Sequence, residues 1–196
     1  FKPLAFGTGG MRGRTIGKKS ASAELGTVSY KGTPEHAAVG ASYMNDFNVA
    51  RATMGLFNYC KKFLDSNGGG PPKLAVACDV RHFSTHFAQL CASVWRKMGG
   101  EVYLFDGPRS TPQLSFTVRN LATTAGIVIT ASHNPPHDNG YKVYFGDGAQ
   151  VISPHAEGIV AEVDKIEWKD IRDFLKIDLD GVKTVPQASE DAYVKS

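Results

Sequence analysis

Long hydrophobic runs are missing from this chain of 196 residues. No apolar stretch approaches the ~20 residues that cross a bilayer, so neither a membrane-spanning helix nor a membrane partner is expected. Strong charge of one sign is missing too. A net charge of +3, spread along the sequence, is too small for a nucleic-acid-binding surface, and no nucleic-acid partner is expected. Cysteine is scarce: Cys60, Cys78 and Cys91 are scattered without C-x-x-C spacing, which argues against a disulfide frame or a zinc site. They imply a reducing compartment, hence a cytoplasmic location, and three free thiols of which at least two are buried. Phe1-Lys2-Pro3 offers no initiating methionine and no secretory signal, so something before it is expected to have been removed or left out. The Gly-x-Ser-x-Gly elbow of common serine hydrolases is also absent.

What is present is ordinary in bulk: 42% hydrophobic and 21% charged residues, enough for one domain with a good core. The informative stretch is Gly126 to Phe145, GIVITASHNPPHDNGYKVYF. Ala125 to Thr130 reads as a buried strand and Tyr141 to Phe145 alternates as a second. Asn134-Pro135-Pro136 and Asp138-Asn139-Gly140 are turn formers, so polar side chains are bunched at a strand end, where ligands of α/β sheets collect. Ser132 is a hydroxyl nucleophile at that mouth. His133 cannot easily be its base, because adjacent residues of an extended chain point to opposite sides. Phosphoryl transfer fits better: a serine carries the group, and the protein positions it and neutralises charge.

Thr130 to Pro135, TASHNP, with Asn139-Gly140-Tyr141-Lys142 after it, resembles the phosphoserine signature of the α-D-phosphohexomutases, the phosphoglucomutase/phosphomannomutase family. Leu4 to Gly13, LAFGTGGMRG, is a short apolar lead into a glycine-dense loop ending at Arg12, whose amides and guanidinium suit an anion. It resembles the family's N-terminal FGTxGxRG loop, which would put Arg12 beside the phosphoserine. The resemblance implies a catalytic set of Ser132, Lys142, Arg12 and His133. It implies phosphate binding by Thr8, Gly9, Gly10, Arg12, Asn134 and Lys142, and a Mg²⁺ ion reached through the phosphate on Ser132. His133 and His137 have two prolines between them and so lie on no helix; no zinc site is read there.

Elsewhere the pattern is that of a strand-helix-strand crossover. Residues 16–44 show no sustained period, and no role is assigned to Lys18, Lys19, Tyr30 or His36; His36 is read as a surface histidine. Asn45 is placed to cap a helix whose Phe47, Ala50, Met54, Phe57 and Leu64 fall on one stripe and which Gly68-Gly69-Gly70 ends. Lys73 to Asp79 is a buried strand; Ser84 or Thr85 opens a helix striped by Phe87, Leu90, Cys91, Val94 and Met98. Glu101 to Phe105 is the next strand, and a helix runs from about Ser110 to Leu121. Asp79-Val80-Arg81 resembles the family's D-x-R motif, with an ordering role for the loops around the serine as the structural alternative. His82 and His86 are read as surface groups. Val151-Ile152 continues the sheet edge, and Ser153-Pro154 starts a helix running to about Ile166. These elements make an α/β fold, a three-layer α/β/α domain with a mixed, mostly parallel sheet. It spans residues 1–196, with the start of a linker helix to a missing second domain at about 189–196.

Family members have four domains, and the resemblance covers the first. The D-x-D-x-D-R metal loop, the sugar-specificity loop and the last phosphate-anchoring loop are nowhere in the sequence. The activity implied is interconversion of hexose 1-phosphate and hexose 6-phosphate, glucose or mannose, with Mg²⁺ and with hexose 1,6-bisphosphate as activator and intermediate. The partners implied are a phosphorylated sugar and the missing C-terminal domains; the fragment alone is expected to be inactive. Two alternatives stand beside it: a phosphosugar-binding or assembly module without turnover, and a mutase for pentose or amino-sugar phosphates.

Overall fold

The sequence LAVAC after Lys73 places Leu74, Val76 and Cys78 on one face of a strand and Ala75 and Ala77 on the other, and both faces are buried. That strand lies inside a sheet covered on both sides. The computed structural model describes residues 4–7, 9–27 and 32–196. In chain order its elements are β1 (Gly10–Arg14), α1 (Ser22–Leu25), α2 (Asp46–Ser66), β2 (Lys73–Cys78), α3 (Ser84–Lys97), β3 (Glu101–Leu104), α4 (Thr111–Asn120), β4 (Ala125–Ile129), β5 (Asp138–Phe145), α5 (His155–Asp164), α6 (Trp168–Ile171), β6 (Lys183–Thr184) and α7 (Gln187–Lys195).

The six strands form one sheet in the order β1-β5-β4-β2-β3-β6. Pairings among β4, β2, β3 and β6 are parallel, and β5 is antiparallel to both β4 and β1. The expected mixed, mostly parallel sheet is therefore what forms. One core joins the sheet to α2, α3 and α5 and includes Leu74, Val76, Ile127, Ile129 and Tyr141. A smaller one under α4 holds Ala75, Ala77, Val128 and Tyr144. On the smaller side, α4 lies so close to Gly126 that an added Cβ would stand 2.5 Å from Val118 Cγ2. Cys60, Cys78 and Cys91 are free and buried, and burial pushes the Cys91 thiol up to about 12.

Local chemistry explains the boundaries. The Asn45 side chain accepts from Asn48 N at the head of α2, as the spacing predicts, and Ser110 does the same for Gln113 N in α4. The same asparagines tie down the end of the stretch without a period: Asn45 Nδ2 donates to the carbonyls of Ala38 and Gly40, and Asn48 Nδ2 to those of Ala41 and Tyr43. Four expectations need correction. Phe47 is 42% exposed rather than core, because α2 turns Val49, Ala50 and Ala52 inward at its first turns. The terminal helix begins at Gln187, and α7 packs on α4 through Phe116 and Tyr193, 5.6 Å apart. The sheet gains β6, which pairs with β3 through Lys183 and Thr184. His82 is half-buried, with Nδ1 3.3 Å from Thr33 Oγ1, whereas His86 is a surface group as expected, its side chain 42% exposed and its Nε2 2.8 Å from Asp46 Oδ1.

Candidate active site

Because β5 runs against its parallel neighbours, its first residues meet the carboxyl ends of β2 and β4 at one edge of the sheet. The chain leaves β4 at Thr130, makes its polar loop and returns at Asp138, earlier than the alternation from Tyr141 indicates. Thr130 N donates to Gly140 O at 2.9 Å, which carries the pairing to the foot of the loop.

Ser132 follows with φ at +55°, in the left-handed region that costs a residue with a Cβ about 1–2 kcal/mol. Its N–H donates to Thr130 Oγ1 at 3.0 Å. The side chain is exposed, and Lys142 Nζ donates to Ser132 Oγ at 2.7 Å. Lys142 is aimed there by its own strand: Tyr141 and Val143 on either side are buried in the larger core, which turns Lys142 to the opposite face. Tyr141 is anchored by its hydroxyl, 3.1 Å from Thr53 Oγ1. Burial lowers the Lys142 pKa from the ordinary lysine value, the Arg12 guanidinium lowers it further, and Asp79 opposes both.

Arg12 reaches the site from an edge strand rather than from within a loop. Gly7 and Gly10 close a tight turn by paired backbone bonds of 2.7 and 3.1 Å, and β1 then runs beside β5 with Gly10 opposite Lys142 and Arg12 opposite Gly140. Gly10, at φ +140°, admits no side chain, since a Cβ there would stand 1.8 Å from the Tyr141 carbonyl oxygen. The exposed Arg12 donates from Nη1 to Asn134 Oδ1 at 3.1 Å. A shallow depression of about 140 Å³ lies among Gly9, Gly10, Arg12, Lys142 and Gln150. Gln150, which no sequence signal singles out, donates to Gly9 O at 3.3 Å.

The structure thus brings Ser132, Lys142, Arg12, Asn134, Gly9 and Gly10 together. His133 is exposed, and among the described residues no hydrogen bond ties it to Ser132. Thr8 and Tyr30 lie outside the described residues. Arg109 looks away from the site: it pairs with Asp106 and with Glu190 of α7, both at 2.8 Å. Arg81 proves to be the centre of the polar loop. Its guanidinium meets the carbonyls of Ser132, Asn134, Pro135 and Asp138. Asp79 holds it from behind and also accepts from Arg81 N and Ser84 Oγ, so the ordering alternative for the D-x-R run describes the geometry.

A serine on a left-handed corner, a lysine on its oxygen and an exposed arginine beside a glycine turn thus stand together where β5 meets the end of β4. Residues 30–170 match the domain described as phosphoglucomutase/phosphomannomutase, alpha/beta/alpha domain I, and the chain belongs to that family. A phosphoglucomutase of Staphylococcus aureus (strain USA300) is 35% identical over 199 residues, which cover 98% of this chain and 30% of the relative. The chain therefore spans about a third of the length of the curated relatives it matches. Among solved structures, one described as a phosphomannomutase of Thermus thermophilus has a TM-score of 0.61 at 29% identity, covering 83% of this chain and 30% of its own. The open form of pp63/parafusin, a phosphoglucomutase from Paramecium, has a TM-score of 0.60 at 21% identity over 85% of this chain and 26% of its own, and is a likeness of fold.

Proposed function

We propose that Ser132 carries a phosphoryl group in the interconversion of hexose 1-phosphate and hexose 6-phosphate through a bisphosphate intermediate. The observation that carries this reading is the 2.7 Å contact from Lys142 Nζ to Ser132 Oγ. As a sugar hydroxyl attacks the phosphoserine, the bond from phosphorus to Ser132 Oγ breaks and one to the sugar oxygen forms. Neutral Lys142 takes the hydroxyl proton and returns it to Ser132 Oγ; the reverse path reloads the serine from the other end of the bisphosphate. Arg12 and the glycine turn hold phosphate oxygens by charge and by backbone amides. The substrates proposed are glucose or mannose phosphates.

A Mg²⁺ ion takes about six oxygens, and the carboxylates around Ser132 do not form such a set. Asp79 is engaged by Arg81 and Ser84, and Asp138 by Asn134. Among the described residues no group of three or more His, Cys, Asp and Glu is placed to hold a metal. A phosphate on Ser132 would supply one oxygen, with the other ligands coming from outside these residues, so no step is assigned to the ion here.

The test is intact-mass analysis of the full-length protein after incubation with glucose 1,6-bisphosphate. One added phosphate of ~80 Da is expected on wild type and none on Ser132→Ala. Equal gain of mass by Ser132→Ala would defeat the assignment. Stable phosphorylation without turnover of glucose 1-phosphate or mannose 1-phosphate would favour a binding module.

A further inference from the structure

Arg81 is the best satisfied cation near Ser132, yet it touches no atom that would react. Its side chain is 12% exposed, and every guanidinium N–H has a partner. Nε faces Asp79 Oδ2 at 3.2 Å. Nη1 donates to the carbonyls of Pro135 at 2.8 Å and Asp138 at 3.3 Å, and Nη2 to those of Ser132 at 2.6 Å and Asn134 at 2.7 Å. A guanidinium has five donors in a fixed fork, so none is left for a phosphate oxygen. Arg12, exposed and with a bond to Asn134, is differently placed and keeps donors for an anion.

We infer that Arg81 is a positioning residue that holds Ser132 in its left-handed conformation and so aims Oγ at Lys142. The inference rests on the reading of Ser132 as the phosphoryl carrier. The four carbonyls that Arg81 gathers come from both sides of the loop's bend, and their dipoles converge on one point. A positive fork at that point makes the convergence favourable, whereas without it the carbonyls would turn outward and Ser132, whose own carbonyl is one of the four, would leave its strained φ. Such conformations persist where surrounding groups over-determine them. Asp79 Oδ1 accepts from Arg81 N at 2.9 Å and from Ser84 Oγ at 2.7 Å, which fixes the guanidinium to the end of β2 and the start of α3. Those two elements belong to the rigid core, so the fork transmits the rigidity of the sheet to a loop that has little apolar contact of its own. Lysine cannot replace it, because one ammonium has three donors and no plane with which to span four carbonyls.

The experiment compares wild type, Arg81→Lys and Arg81→Ala in the full-length protein with glucose 1-phosphate as substrate and glucose 1,6-bisphosphate as activator. Both variants are expected to lose about 10²-fold in kcat, the scale of a misplacement near 1 Å, while KM stays within about threefold. Guanidinium ion at tens of millimolar is expected to restore kcat of Arg81→Ala by about tenfold, and ammonium at equal ionic strength to leave it unchanged. Circular dichroism and thermal melting give the folded fraction, to which kcat is referred; if Arg81→Ala does not fold, Arg81→Gln takes its place. Normal kcat in a folded variant would overturn the inference. So would a loss confined to KM, which would make Arg81 a substrate contact, or a loss that vanishes once kcat is referred to folded protein. Wild type that fails to take phosphate on Ser132 would instead sink the reading of the serine itself.

Discussion

At the residue scale, the roles proposed for the two cations near Ser132 differ, and their pH behaviour is expected to separate them. In its proposed role as base Lys142 is active when neutral, so kcat is expected to rise with pH as it loses its proton. Its lowered pKa places that limb below the 10.5 of an ordinary lysine. Arg12 is one cause of the lowering, so Arg12→Met is expected to move the limb to higher pH, because Lys142 then holds its proton more tightly. Arg12→Lys, which keeps the charge, is expected to lower the rate with the limb in place. Lys142→Arg is expected to lower kcat by about 10²-fold or more and to flatten the limb. The measurement is kcat against pH for the three variants in the full-length protein; near-normal turnover of Lys142→Arg with an unchanged profile would leave Lys142 a phosphate contact alone.

At the element scale, one tight seam is between α4 and the sheet. Gly126→Ala would place Cβ 2.5 Å from Val118 Cγ2, so a loss of about 1–3 kcal/mol in denaturant unfolding is expected. Val118→Ala in the same chain should recover part of it, since the obstacle is one methyl group; the coupling in the double mutant is the quantity to measure. Elements of this kind were readable because local signals agree with the packing. LAVAC and GIVI are apolar on both faces, and Asn45 and Ser110 stand at helix starts with side chains that cap. β6 was not readable, since two exposed residues carry no period and gain their strand character from pairing with β3. The start of α3 was readable at Ser84, but the φ of +63° that Phe83 takes just before the helix was not. Residues 38–43 escaped because the side-chain amides of Asn45 and Asn48 donate to carbonyls there, and such bonds leave no hydrophobic rhythm. Ser132, Lys142 and Arg12 were legible as residue types in a motif. The donor-by-donor use of Arg81 was not, because its partners lie some fifty positions further along the chain.

At the scale of the whole molecule, the sheet with its two covered faces suffices for a cooperative fold. The described residues are expected to unfold in one transition, alike by circular dichroism and by tryptophan fluorescence. Cys60, Cys78 and Cys91 supply a chemical check: all three are buried, and burial raises their thiol pKa values. A thiol reagent at neutral pH is therefore expected to find almost no reactive thiol in native protein and three after denaturation. The same 196 residues are expected to show no mutase turnover, because the converging charges that phosphoryl transfer needs are incomplete among the described residues. Turnover by the purified chain would show that groups described here as structural do more.

The return from β4 to β5 also behaves as a ruler. Ile129 stands opposite Tyr141 and Val128 opposite Lys142, so sliding β5 by one residue would bury the lysine and offer the serine an aromatic or aliphatic side chain instead. Surface loops commonly absorb extra residues at little cost. This one is measured off at both ends by the ladder and in the middle by Arg81. In a library of single-residue insertions read by growth on a sugar that demands the activity, the stretch from Ser132 to Asp138 should be nearly empty of survivors. The open glycines Gly68 and Gly70 should tolerate them freely. Across lineages, the distance between serine and lysine would then be inherited more strictly than the identity of most residues lying between them.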